Sequence, residues 1–103
     1  MKDFSKYSAI IIGAGDATGS ALTKKFASEG YKVCPVRRSR NIDKVNQLAD
    51  EITKSGGWAK GFGVDARDED ALKALFKEVD ENIAPIDAVI FNPGANVFFP
   101  IED

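Results

Sequence analysis

"IIIGAGDATGSAL", residues 10–22, places three glycines, at 13, 15 and 19, between a run of isoleucines and a stretch with helical spacing. Glycine gives up side-chain packing and costs order on folding, so its concentration between two regular elements marks a place where bare backbone is needed. A strand that turns abruptly into a helix has two such needs. The turn is tight, and a phosphate can approach backbone N–H groups at the positive end of the helix dipole. A flexible turn with no ligand would use the same glycines, so the surrounding pattern has to decide between the two.

Working outward, the chain alternates between two kinds of segment. "YSAIIIG" (7–13), "YKVCPV" (31–36), "WAKGFGVD" (58–65) and "IDAVIFN" (86–92) are short and apolar or β-prone. Three are nearly continuous in apolar residues, as strands covered on both faces are. Between them, Ala21, Leu22 and Phe26, then Ile42, Val45, Leu48 and Ile52, then Leu72, Leu75, Phe76 and Val79 recur at helical spacing. Gly30 and the Gly56–Gly57 pair supply stops, and "DARDED" (65–70) puts acids where a helix amino terminus favours negative charge. Pro35 removes one ladder hydrogen bond from the second strand.

Four strands joined by three single helices must run parallel, and right-handed crossovers favour a doubly wound α/β sheet. Ligands bind such sheets beyond the carboxyl ends of the strands. The loops after residues 13, 36, 65 and 92 are therefore expected to converge on one site. With a first strand before it and a helix after it, the glycine loop is expected to be a pyrophosphate cradle.

Composition limits the other possibilities. A chain of 103 residues with 44% hydrophobic and 29% charged residues fits one folded domain. The net charge of −2 gives no general attraction to nucleic acid or anionic lipid, although Arg37, Arg38 and Arg40 cluster locally. One cysteine and no histidine leave no internal disulfide and no credible zinc or haem site. No apolar run approaches the roughly 20 residues of a membrane span. The opening "MKDFSKYS" has no signal-peptide core, and a cytoplasmic location is expected.

A standard G-x-G-x-x-G would end at position 18, which is Thr18, whereas Gly13 and Gly19 are six apart. In that spacing the chain resembles the short-chain dehydrogenase/reductase family, whose loop reads T-G-x-x-x-G-x-G. Here Ile12 stands for the threonine and Ala17 for the middle glycine. "GYKVCPVRRS" resembles the family's second strand and ribose-selecting residues, and "VDARD" its adenine-binding aspartate after the third strand. "FNPGAN" resembles its N-N-A-G motif, with Phe91 for the first Asn and Pro93 for Ala. These matches run in order along nearly the whole chain.

The resemblance implies that Gly13, Asp16, Ala17, Thr18 and Gly19 surround a pyrophosphate and its neighbouring ribose. Asp65 would accept from the adenine amino group with the Ala66 backbone alongside. Asn92 and Gly94, with Pro93 between them, would lie near the nicotinamide ribose. Asp65 could instead cap the following helix, and Asn92 could satisfy backbone groups at the strand end. The end of the second strand separates the cofactors. NAD-specific folds put Asp or Glu there, whereas this chain has Arg37 followed by Arg38. Guanidinium groups pair with phosphate through parallel charge-assisted hydrogen bonds, so NADP is expected rather than NAD, with an exposed basic loop as the alternative.

The family's acid–base chemistry uses a tyrosine and a lysine four residues apart, with a serine upstream. The only tyrosines are Tyr7 and Tyr31, followed four residues on by Ile11 and Pro35. The 103 residues are thus expected to be the dinucleotide-binding half of an NADP-dependent oxidoreductase, inactive alone. The alternative is a non-catalytic dinucleotide-binding or interaction module. A sheet ending at the fourth strand would expose that strand's edge and the apolar Val97, Phe98 and Phe99. Association of copies through that edge is therefore also expected.

Overall fold

In the computed structural model the described residues are 3–14, 17–38 and 42–91, together with the backbone of 97–100. The elements are β1 (Ser8–Ile12), α1 (Ala17–Ser28), β2 (Lys32–Arg37), α2 (Ile42–Lys54), β3 (Trp58–Ala59), β4 (Phe62–Gly63), α3 (Glu69–Asn82), β5 (Ile86–Phe91) and β6 (Val97–Pro100). The sheet runs β3-β2-β1-β5-β6, with β4 also paired to β2. Every pairing is parallel except β5 with β6.

Period-two alternation along the strands divides the core between the faces. Ala9, Ile11, Val33 and Ile90 meet Val45, Leu48 and Ile52 of α2 and the half-buried Leu22 and Phe26 of α1. Ile10, Ile12, Cys34, Val36 and Val89 meet Leu75 and Val79 of α3. The topology requires this division: successive right-handed crossovers toward one edge leave α1 and α2 on one face, and reversal from β4 to β5 sends α3 to the other. β1 is central, and its five residues are all buried. Each of its isoleucines contributes about 1.5–3 kcal/mol by leaving water.

The third strand, expected as one element over 58–65, is two short ones. In a parallel strand, alternate residues turn both backbone groups to the same side. The carbonyl of Val33 accepts from Lys60 N at 3.1 Å and that of Arg37 from Val64 N at 2.7 Å, so Pro35 between them also faces this edge. It has no N–H to donate, and the ladder lapses at Lys60 and Gly61. Gly61 passes close to α2. A Cβ there would lie 2.9 Å from Asn46 Oδ1 and 3.1 Å from Val45 Cγ2.

The expectation of a bare fourth-strand edge is corrected. β6 pairs antiparallel along β5, from Phe91 opposite Val97 to Ala88 opposite Pro100, so the outer edge belongs to β6. The side chains of Val97, Phe98 and Phe99 are outside the described set.

At the opposite end of the sheet, the register of β1 against β5 slips between Ser8 and Ala9, where Ser8 faces Ile86 but Ala9 faces Ala88. Asp87 sits at this irregularity, and its Oδ2 accepts from the Tyr31 hydroxyl at 2.6 Å. Tyr31 is buried and stacks on Phe4 with ring centroids 4.8 Å apart. Burial and then the Asp87 hydrogen bond push its phenol up to about 12.

Candidate dinucleotide site

Backbone hydrogen bonds at the carboxyl ends of the strands tie the loops into a row. The carbonyl of Val36 accepts from Gly13 N at 2.9 Å and Ala14 N at 3.2 Å, joining the first loop to the end of β2. One residue later, the Arg37 carbonyl accepts from Val64 N, joining β2 to the segment that carries Asp65. On the other side of β1, Ile12 lies opposite Phe91, so β5 ends beside the first loop. Strand order reverses between β1 and β5, which is where sheets of this class bind ligands.

Gly13 leaves β1 with φ of 90°, in the left-handed region that residues with a Cβ rarely adopt. Ala14 is fully buried. Helix α1 begins at Ala17, and its first turn carries no acidic residue. Ala17 and Thr18 are exposed there, whereas Gly19 is buried. The Gly19 carbonyl accepts from Thr23 Oγ1 at 2.7 Å, which satisfies that hydroxyl inside the core. The buried side of α1 is therefore Gly19 and Thr23, a glycine and a short side chain.

The basic pair stands where the second loop begins. Arg37 is the last residue of β2 and half-buried, and Arg38 is exposed. Among the described residues no carboxylate forms an ion pair with either.

Asp65 is engaged by its own turn. Its Oδ1 accepts from Arg67 N at 2.9 Å and Arg67 Nε at 3.1 Å, and its Oδ2 from Arg67 Nη2 at 2.9 Å. These side-chain hydrogen bonds, followed by the one from the Arg67 backbone, hold the Asp65 carboxyl well below the usual carboxylate range. A carboxylate offers about four acceptor sites, so one on Oδ2 remains for a further donor. The cap of α3 is Asp68, whose side chain accepts from Ala71 N at 3.1 Å. The side chain of Ala66 packs against the α3 face of the core.

The structure thus brings Gly13, Arg37, Arg38, Asp65 and Ala66 to one end of the sheet, with Ala17, Thr18 and Gly19 in the helix that follows the first loop. Asp16, Arg40, Asn92, Pro93 and Gly94 lie outside the described residues. Arg67 was not singled out in the sequence; its only signal there is the D-x-R spacing. An open groove lined by Lys24, Ser28, Glu51 and Ser55 lies between the carboxyl-terminal parts of α1 and α2, at the far end of the sheet from these loops. Among the described residues no helix is long and apolar enough to cross a membrane.

The family model described as short chain dehydrogenase matches residues 7–103. A short-chain dehydrogenase from Rhodopseudomonas palustris is 42% identical, with a TM-score of 0.80 over 92% of this chain and 43% of its own. A metagenomic short-chain oxidoreductase in complex with NADP is 28% identical, with a TM-score of 0.68 over 76% of this chain and 34% of its own. An oxidoreductase from Haemophilus influenza with bound NAD is 26% identical, with a TM-score of 0.73 over 84% of this chain and 30% of its own. The similar folds therefore include holders of either cofactor. The chain spans about a third of the length of the curated relatives it matches.

Proposed function

Because the chain belongs to the short-chain dehydrogenase family, we propose that residues 1–103 are the NADP-holding part of an oxidoreductase that interconverts an alcohol and a carbonyl. The observation that carries this reading is the position of Arg37 and Arg38. They stand where an NAD-specific fold has an acidic residue, and no described carboxylate pairs with them. Their guanidinium groups suit a 2′-phosphate, which accepts parallel charge-assisted hydrogen bonds.

The remaining residues take the roles that the family resemblance implies. Gly13, Asp16, Ala17, Thr18 and Gly19 receive the pyrophosphate and adjoining ribose, using the tight turn at Gly13 and the positive end of the α1 dipole. Asp65 accepts from the adenine amino group through its remaining acceptor site, with the Ala66 backbone beside it. Asn92, Pro93 and Gly94 border the nicotinamide ribose. When bound, the cofactor supplies the hydride.

The chain contains no Tyr-x-x-x-Lys, so these residues hold and orient the dinucleotide without moving the substrate proton. We assign proton transfer to groups outside this sequence, place the protein in the cytoplasm, and take it to associate as a homo-oligomer. Calorimetric titration tests the cofactor assignment. NADP should bind about tenfold or more tightly than NAD, and replacing Arg37 and Arg38 together with alanine should abolish the difference. Equal affinities in the unaltered chain would refute it.

A further inference from the structure

The Asp65–Arg67 fork sits beside two arginines proposed to hold a phosphate, which is an awkward place for a carboxylate. Val64 is hydrogen-bonded to the Arg37 carbonyl, so Arg38 and Asp65 each follow one residue after a joined pair. The Arg38 charge adds to that of Arg67 in favouring ionised Asp65, which puts Arg38 within electrostatic reach of the carboxylate. An unpartnered Asp65 would have two effects. It would draw Arg38 into an ion pair, and it would repel a dianionic 2′-phosphate.

Arg67 is placed to prevent both. Its Nε and Nη2 meet the two oxygens of Asp65 side-on, the planar match that an arginine makes and a lysine does not. Its backbone N–H anchors the same carboxylate, so the pairing is fixed by the turn as well as by the side chain. The Arg67 side chain is 73% exposed, and an exposed pair of this kind adds little to stability. Its consequence is therefore sought in binding selectivity.

We propose that Arg67 is a positioning residue for cofactor choice: by occupying Asp65 it leaves Arg38 free for the 2′-phosphate of NADP while leaving an Oδ2 acceptor site for adenine. This inference rests on the proposed NADP reading and extends it to a residue outside the phosphate clamp.

The test is calorimetric titration of NADP and NAD into the unaltered chain, Arg67→Gln and the double variant Arg67→Gln/Asp65→Asn. Adenine contacts are common to both cofactors, so the ratio of the two affinities isolates the 2′-phosphate. Arg67→Gln should lower the NADP-over-NAD ratio about three- to tenfold, and adding Asp65→Asn should restore the ratio even where both affinities fall. An unchanged ratio in Arg67→Gln would overturn the proposal. A lowered ratio that Asp65→Asn fails to restore would overturn it too, because Arg67 would then act on the phosphate directly. If the unaltered chain shows no NADP preference, the parent reading fails first, and is distinguished by that titration alone.

Discussion

Gly13 donates its backbone N–H to the carbonyl of Val36 at 2.9 Å, so the turn that ends β1 is built onto the end of β2. The loop proposed to take the pyrophosphate and the arginines proposed to take the 2′-phosphate are thus parts of one hydrogen-bonded unit. A change at Gly13 should be felt at both.

Replacing Gly13 with alanine forces a Cβ onto a residue whose φ is 90°. The strain should cost about 1–2 kcal/mol of stability in urea unfolding. Affinity for NADP should fall by more than stability alone explains, because the first loop and the end of β2 move together. A variant of unchanged stability and affinity would show that the turn does not depend on glycine.

Gly61 lies between β3 and β4 against the first turns of α2. Its replacement by alanine places a Cβ against Asn46 Oδ1 and Val45 Cγ2 at 2.9 Å and 3.1 Å, contacts that one side-chain rotation cannot relieve together. A loss of about 1–3 kcal/mol is expected, as for other overpacked sites. Because β4 leads directly to Asp65, amide shifts in an NMR spectrum should extend to residues 63–67. Shifts confined to α2 would contradict this route.

How much of this was legible beforehand follows from which interactions are local. The parallel strands and their alternation with helices could be read from apolar runs and helical spacing, because each pattern reports burial of its own segment. The break opposite Pro35 could not, since the side to which Pro35 turns depends on its register with strands on both sides. β6 shows in the sequence only as the apolar residues Val97, Phe98 and Phe99, because its antiparallel pairing with β5 is a tertiary event. "DARDED" offers several acids, and only the geometry separates the cap, Asp68, from Asp65, which is held by Arg67. The low amphipathicity of α1 has a simple source, since its buried residues are Gly19 and Thr23.

The Tyr31–Asp87 pair predicts an alkaline limit. The Tyr31 phenol, ordinarily near 10, is pushed up to about 12 in the fold, so the folded chain keeps a proton that the unfolded chain loses. Its stabilisation is complete below about pH 10 and disappears as the pH rises toward 12. Burial pushes the Cys34 thiol up to about 12 as well, which adds a second loss in the alkaline range. Urea unfolding from pH 9 to 12 should therefore show falling stability in the unaltered chain and a shallower fall in Tyr31→Phe. Equal slopes would mean that the phenol is not held neutral by the fold.

The central claim concerns one phosphate and two arginines, and the most direct measurement removes the rest of the cofactor. Adenosine 2′,5′-bisphosphate and adenosine 5′-monophosphate share the adenine, ribose and 5′-phosphate and differ only in the 2′-phosphate. In calorimetric titration of the unaltered chain, the bisphosphate should bind about tenfold or more tightly, the worth of one to two charge-assisted hydrogen bonds. Equal affinities would contradict the account, because Arg37 and Arg38 would then not be holding the 2′-phosphate.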